Sequence, residues 1–306
     1  MRNLSAPKFW DKKNFLSNIL LPISAIYFFL FLIKKFKQLI FKNKFKLKII
    51  CIGNINVGGT RKTNLTKLTY YILSKKYKCC TIKKDRAEHI DEINYLRDNT
   101  KLFFNQDRAN AIKTAENEDC EFAILDDGLQ DFSFDKDLNI LCVKSNKGFG
   151  NRRLLPSGPL REPLAKIKKC DVVVINGEKN TNLENEIKKI KPDIHILQSK
   201  YEVKNLENYI DKKFLAFSGI ADNSSFFDLL KNNDIPVCFT REFPDHHKFT
   251  QNEIKNLMNL ANRENAKLLT TEKNFYSLST DLRKAVQYIE LELIIPNYES
   301  LINEIY

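Results

Sequence analysis

KIICIGNINVGGTRKTNLTKLTYYILSKKYK, residues 48–78, is the stretch that decides the fold. Ile49 to Ile52 is a short apolar run of β type, closed by Gly53. Gly58, Gly59, Thr60, Arg61, Lys62 and Thr63 follow, and then Leu65, Leu68, Ile72 and Leu73 recur at helical spacing. Strand, glycine loop, Lys-Thr and helix form the P-loop arrangement. Glycines let backbone N–H groups converge on phosphate oxygens, and the helix N-terminus adds positive potential. The spacing assigns residues 58–63 to nucleotide binding, with Lys62 neutralising the β- and γ-phosphates and Thr63 ligating Mg2+. The strict pattern has glycine at positions 56 and 61, where this chain carries Asn56 and Arg61. A glycine turn between any strand and helix would share this composition, so a second signal has to decide.

That signal lies further along. Phe122-Ala-Ile-Leu125 is apolar and runs into Asp126-Asp127-Gly128. Acids at the carboxyl end of an apolar strand are a Walker-B-like arrangement that puts a carboxylate near P-loop Mg2+. An Asp-Gly turn is the plainer reading. Two half-motifs in the right order favour the nucleotide, so ATP and Mg2+ are the expected cofactors. Further apolar runs at Leu138–Val143 and Val172–Ile175, alternating with helical stretches, predict an α/β fold. The expectation is a P-loop NTPase-like (RecA-like), mostly parallel sheet, with ligands at the carboxyl ends of its strands.

Charge is unevenly spread. The net charge is +12, and residues 1–48 hold eleven Lys or Arg against the single acid Asp11. The remainder is close to neutral, which argues against a nucleic-acid partner. Inside the basic segment, Phe15 to Ile33 has nineteen residues without a charge, flanked by Lys12 and Lys13 before and Lys34, Lys35 and Lys37 after. No small-residue cleavage site follows, which disfavours a signal peptide. A buried core helix is possible, but flanking lysines suit anionic headgroups, so a membrane-inserted or membrane-lying helix is expected. Pro22 should kink it. The seven cysteines include no CxxC pair and read as reduced, mostly buried thiols.

Beyond the acidic strand end come Gly148-Phe-Gly-Asn151 and Leu155-Pro-Ser-Gly-Pro-Leu-Arg-Glu-Pro163. With DDGLQ (126–130) and GGTRKT (58–63), these segments resemble the tetraacyldisaccharide 4'-kinases of lipid A biosynthesis. The likeness extends to Pro7-Lys-Phe9-Trp10, Leu20-Leu-Pro-Ile-Ser24 with Tyr27, Phe217-Ser-Gly-Ile220, Phe243-Pro-Asp-His-His247 and Thr271-Glu-Lys-Asn274, in order over nearly the whole chain. It implies transfer of a phosphoryl group from ATP to the 4'-hydroxyl of a lipid-linked glucosamine disaccharide 1-phosphate, at the cytoplasmic face of the inner membrane. It implies Asp126 and Asp127 as metal-side acids, and Arg161 and Glu162 as a basic and acidic pair with the acid near the metal. It also implies His246, paired with Asp91, as the group that activates the sugar hydroxyl. The chain departs from the family at Arg61, at Lys83-Lys84-Asp85-Arg86 in place of an SRGYG strand end, at Asp131 in place of His, and at Asn274 in place of Asp. A membrane-associated P-loop ATPase without a sugar acceptor, or a catalytically impaired relative, is the alternative.

From Lys213 the strand and helix pattern restarts, which predicts a second, smaller α/β domain. The expected division is 1–46 as anchor and basic segment, 47–205 as nucleotide domain and 206–306 as C-terminal domain. GEKNTNLENE (177–186) reads as a polar surface excursion.

Overall fold

The computed structural model describes residues 7–58, 62–220, 222–245 and 247–306. A short helix and a long one lead in, α1 (Phe15–Ile19) and α2 (Leu21–Ile40). The strands are β1 (Lys48–Gly53), β2 (Cys79–Lys84), β3 (Leu102–Asn105), β4 (Phe122–Asp126), β5 (Leu138–Lys144), β6 (Val172–Asn176) and β7 (His195–Val203). They continue as β8 (Phe214–Ser218), β9 (Val237–Glu242), β10 (Lys267–Thr271), β11 (Val286–Ile289) and β12 (Leu291–Ile294). Between them, α3 (Lys62–Ser74) follows the P-loop, α4 (Ile90–Asn99) follows β2, and α5 (Arg108–Asn117) follows β3.

Contacts divide the chain into two units that interleave in sequence. The larger holds Ala6–Arg86, Asn99–Lys200 and Leu293–Tyr306, and the smaller holds Ala87–Asp98 and Tyr201–Glu292. This differs from the contiguous division expected at residue 206. Helix α4 leaves the first half to pack with the second, where Tyr95 meets the Tyr276 ring at 5.2 Å. The last helix, Tyr298–Ile305, returns to the larger unit, where the buried Tyr298 hydroxyl bonds Thr69 Oγ1 of α3 at 2.6 Å. Neither excursion leaves a mark in local composition.

The larger unit carries an eight-stranded sheet in the order β12-β7-β6-β5-β1-β4-β2-β3. The pairings from β7 through to β3 are parallel. The P-loop strand β1 and the acidic strand β4 are direct neighbours, with Ile52 opposite Asp126. The burial pattern explains the parallel arrangement: β1, β4 and β6 are covered on both faces and are apolar almost throughout. This is the P-loop NTPase-like sheet that the sequence predicts. The smaller unit has a four-stranded parallel sheet, β11-β10-β8-β9, around Phe214, Phe217 and Leu269. The polar stretch 177–186 is not an excursion. Asn180 caps a helix, Thr181–Ile190, whose apolar side buries Leu183 and Ile187. All seven cysteines are free, six of them buried.

The N-terminal apolar run does not form one helix. The chain breaks at Leu20, and Pro22 sits in the first turn of α2, where a missing N–H costs nothing. Helix α2 then runs on through the lysines to Ile40, and no helix among the described residues is long and apolar enough to cross a membrane. Its inward stripe is polar at its start. Ser24 Oγ donates to Leu154 O at 3.0 Å and accepts from Ser157 N at 3.0 Å, while Tyr27 Oη donates to Arg161 O at 3.0 Å. Trp10 Nε1 adds a bond to Pro156 O at 2.9 Å. The outward face keeps Phe29 and Phe36 about two-thirds exposed.

Candidate active site

Parallel strands deliver their carboxyl ends to one edge of the sheet, and the expected polar residues of the larger unit gather there. Gly58 has φ +109°, a backbone conformation open to glycine and strained for other residues. Gly59, Thr60 and Arg61 lie outside the described residues. Lys62 and Thr63 open α3. Thr63 Oγ1 donates to Asp126 Oδ2 at 3.0 Å, joining the P-loop helix to the end of β4.

The two adjacent acids have different partners. Asp126 is fully buried, and its Oδ2 also takes the Lys83 ammonium at 2.6 Å. Asp126 Oδ1 is buried with no hydrogen-bond partner among the described residues. Asp127 sits at φ +60°, a turn conformation that Asp tolerates. Arg161 grips it through both nitrogens, NH1 to Oδ2 at 3.0 Å and NH2 to Oδ1 at 2.8 Å. Lys62 Nζ stands 3.7 Å from Oδ1 on the same carboxylate. Burial works to raise the Asp127 carboxyl, but the charge of Lys62 and the hydrogen bond and charge of Arg161 outweigh it. The carboxyl is held well below the usual carboxylate range.

That depression fixes a sign. A carboxyl with a lowered folded-state pKa stabilises the fold above its unfolded value of about 3.9 and loses that contribution as acid protonates it. Asp127→Asn should therefore flatten the decline of stability below about pH 5, as followed by urea midpoints at successive pH values. A decline as steep in the variant as in the parent would show that Asp127 carries none of it.

Arg161 also bonds Asn54, donating NH2 to Asn54 O at 2.7 Å and to its side-chain oxygen. Glu162 is buried and accepts from Gln130 Nε2 at 2.7 Å, with Lys166 Nζ at 3.8 Å. Gln130 reaches Asn54 O as well, at 2.9 Å. The DDGLQ turn, the LREP segment and the start of the P-loop are thus one hydrogen-bonded body. Arg108, from α5, adds a bond from NH2 to Asp127 O at 2.7 Å. Lys83, Gln130 and Arg108 were not among the expected site residues. The available signal for Lys83 was a lysine at the end of an apolar strand beside the strand bearing the acids.

A family model described as tetraacyldisaccharide-1-P 4'-kinase matches residues 16–306. The chain belongs to this family. The tetraacyldisaccharide 4'-kinase of Pelagibacter ubique (strain HTCC1062) is 38% identical over 311 residues, covering 99% of this chain and 97% of that protein. The protein of the same name from Rickettsia felis (strain ATCC VR-1525 / URRWXCal2) is 31% identical over 322 residues, again covering 99% and 97%. The crystal structure of the "apo" form of LpxK from Aquifex aeolicus in complex with ATP has a TM-score of 0.72 at 24% identity. The match covers 95% of this chain and 99% of that one, and it shows a common fold. The resemblance drawn from the motifs is borne out.

The other residues that the tetraacyldisaccharide 4'-kinase motifs single out belong to the smaller unit. Asp91 is buried in the first turn of α4, where a carboxylate is favoured by the helix dipole, and its Oδ1 accepts from Glu92 N at 3.0 Å. His246 lies outside the described residues. Its neighbours are fixed by packing: Asp245 pairs with Lys273 at 3.0 Å, and His247 stacks on Phe243 at 4.8 Å and meets Glu253 at 3.0 Å. Asn274, where the family pattern has Asp, accepts from Gly219 N at 2.8 Å and donates to Gly219 O at 3.1 Å. An amide satisfies both bonds, and a carboxylate would satisfy only the first.

Proposed function

We infer that this protein transfers the γ-phosphoryl group of ATP to the 4'-hydroxyl of a tetraacylated glucosamine disaccharide 1-phosphate. One observation carries the nucleotide half: Thr63 Oγ1 lies 3.0 Å from Asp126, whose other carboxylate oxygen is buried without a partner among the described residues. A hydroxyl and a carboxylate at the tip of a P-loop suit Mg2+, which takes one or two protein oxygens and fills its shell with phosphates and water. No cluster of three or more His, Cys, Asp or Glu stands among the described residues, and Mg2+ does not need one. Thr63 and Asp126 would hold the ion, which neutralises phosphate charge when bound. Lys62 contacts the β- and γ-phosphates, and Arg161 supplies a second cation to the charge that spreads over the transferring group. Asp127 positions both cations. Asp91 and His246 activate the sugar hydroxyl, a poor nucleophile that gains from a positioned base.

Family membership supports the acceptor, and the N-terminal helix pair supports a lipid surface as partner. The outward faces of α1 and α2 present Phe15, Ile26, Phe29 and Phe36 beside Lys34 and Lys37, the composition of a helix lying in the headgroup region of an inner membrane's cytoplasmic leaflet. Replacing Phe29 and Phe36 together by Asp should cut co-sedimentation with anionic phospholipid vesicles about tenfold. Undiminished sedimentation would remove this face as the membrane contact.

The test of function is radiolabelled ATP incubated with and without the disaccharide acceptor. Label on the acceptor supports the kinase, whereas free phosphate at equal rates in both arms would favour an ATPase.

A further inference from the structure

In parallel register, Ile82 of β2 faces Leu125 of β4, so the next residues, Lys83 and Asp126, are neighbours on the same face of the sheet. Both are buried, the lysine side chain 2% exposed and the carboxylate not at all, and they meet at 2.6 Å. An ammonium removed from water costs several kcal/mol unless a counterion compensates it. Asp126 is that counterion, and it is also the carboxylate that the metal needs. The neighbouring acid repeats the arrangement, with Lys62 at 3.7 Å from Asp127. The strand end thus sets Lys83, Lys62 and Arg161 against two aspartates, so each carboxylate already faces at least one cation.

We propose that Lys83 is a resident counterion of the metal-holding carboxylate, leaving Asp126 for a phosphate oxygen of the nucleotide as the divalent cation takes its place. The inference rests on the reading of Thr63 and Asp126 as the magnesium-holding pair. A divalent cation arriving alone meets an ammonium already seated on the same carboxylate, at Asp126 Oδ2, and two like charges on one buried carboxylate repel strongly. Arriving with a triphosphate, the same cation brings anionic oxygens that can receive the displaced ammonium. The site therefore resists free metal and admits metal with nucleotide. The lysine belongs to the segment Lys83-Lys84-Asp85-Arg86 that closes β2.

The probe is Mn2+, whose binding is read by electron paramagnetic resonance of the free ion. Without nucleotide, Lys83→Ser and Lys83→Met should each bind Mn2+ at least roughly tenfold more tightly than the parent, since the competing charge is gone. Lys83→Arg keeps the charge and should stay near the parent. The parent supplies an arm that needs no variant: without nucleotide, millimolar Mn2+ should leave its melting temperature unmoved. Equal Mn2+ affinity in the parent and the neutral variants, or a saturable melting shift of the parent by Mn2+ alone, overturns the proposal. Thr63→Ala separates the two readings. If Mn2+ binding in the presence of a non-hydrolysable ATP analogue is untouched by Thr63→Ala, the magnesium-holding pair itself is wrong. If Thr63→Ala weakens it while the neutral Lys83 variants match the parent without nucleotide, only the counterion exchange fails.

Discussion

Lys62→Ala is expected to lower kcat for phosphorylation of the disaccharide roughly a thousandfold, the scale on which one preorganised charge at a transferring phosphoryl group acts. The fold should survive. Lys62 stands at 3.7 Å from Asp127, a loose contact, whereas Arg161 holds the same carboxylate by two hydrogen bonds of 3.0 and 2.8 Å. Removing the lysine therefore leaves Asp127 paired. Steady-state rates with radiolabelled ATP, set beside thermal melts of parent and variant, check both halves. A melt near the parent's with activity cut by less than about tenfold would take Lys62 out of the phosphate-binding role.

Asp126→Ala should strike stability as well as activity. Its carboxylate is the buried partner of Lys83 at 2.6 Å and of Thr63 at 3.0 Å. Truncation removes the carboxylate facing an ammonium whose side chain is 2% exposed, and breaking a buried pair from one side costs about 3–5 kcal/mol. The urea midpoint should fall accordingly, at an unchanged slope. The double replacement Asp126→Ala with Lys83→Met should recover most of that loss without restoring phosphoryl transfer. A single variant as stable as the parent would mean that the ammonium finds another counterion at little cost. The contrast between Lys62 and Asp126 is one of burial: losing one partner of a lysine–aspartate pair costs little where the pair is loose and much where it is dry.

Much of the nucleotide half is legible from residue order alone. Glycines before Lys-Thr and acids after an apolar run are local signals, because each depends on what a few consecutive backbone units can do. The strand and helix alternation is legible for the same reason, and it predicts the parallel sheet correctly. The N-terminal run shows the limit. Its composition announces an apolar surface helix, but not that Ser24 and Tyr27 face inward onto the Leu154–Arg161 segment while Phe29 and Phe36 face out. A run without charges has no polar face to read, so only the packing partner settles which side docks.

Likewise, the sequence by itself determined that a phosphate-binding loop, an acidic strand end and a family-specific arginine segment occur in one chain, since those motifs are short and contiguous. The tertiary structure alone decided that Asp126 and Asp127 take different partners, that Glu162 and Gln130 brace each other, that α4 joins the smaller unit, and that Lys83 pairs with the Asp126 carboxylate. Each of these depends on strand register and on contacts between residues far apart in sequence. Their energies come from burial, which no residue possesses until its neighbours from elsewhere in the chain have closed around it.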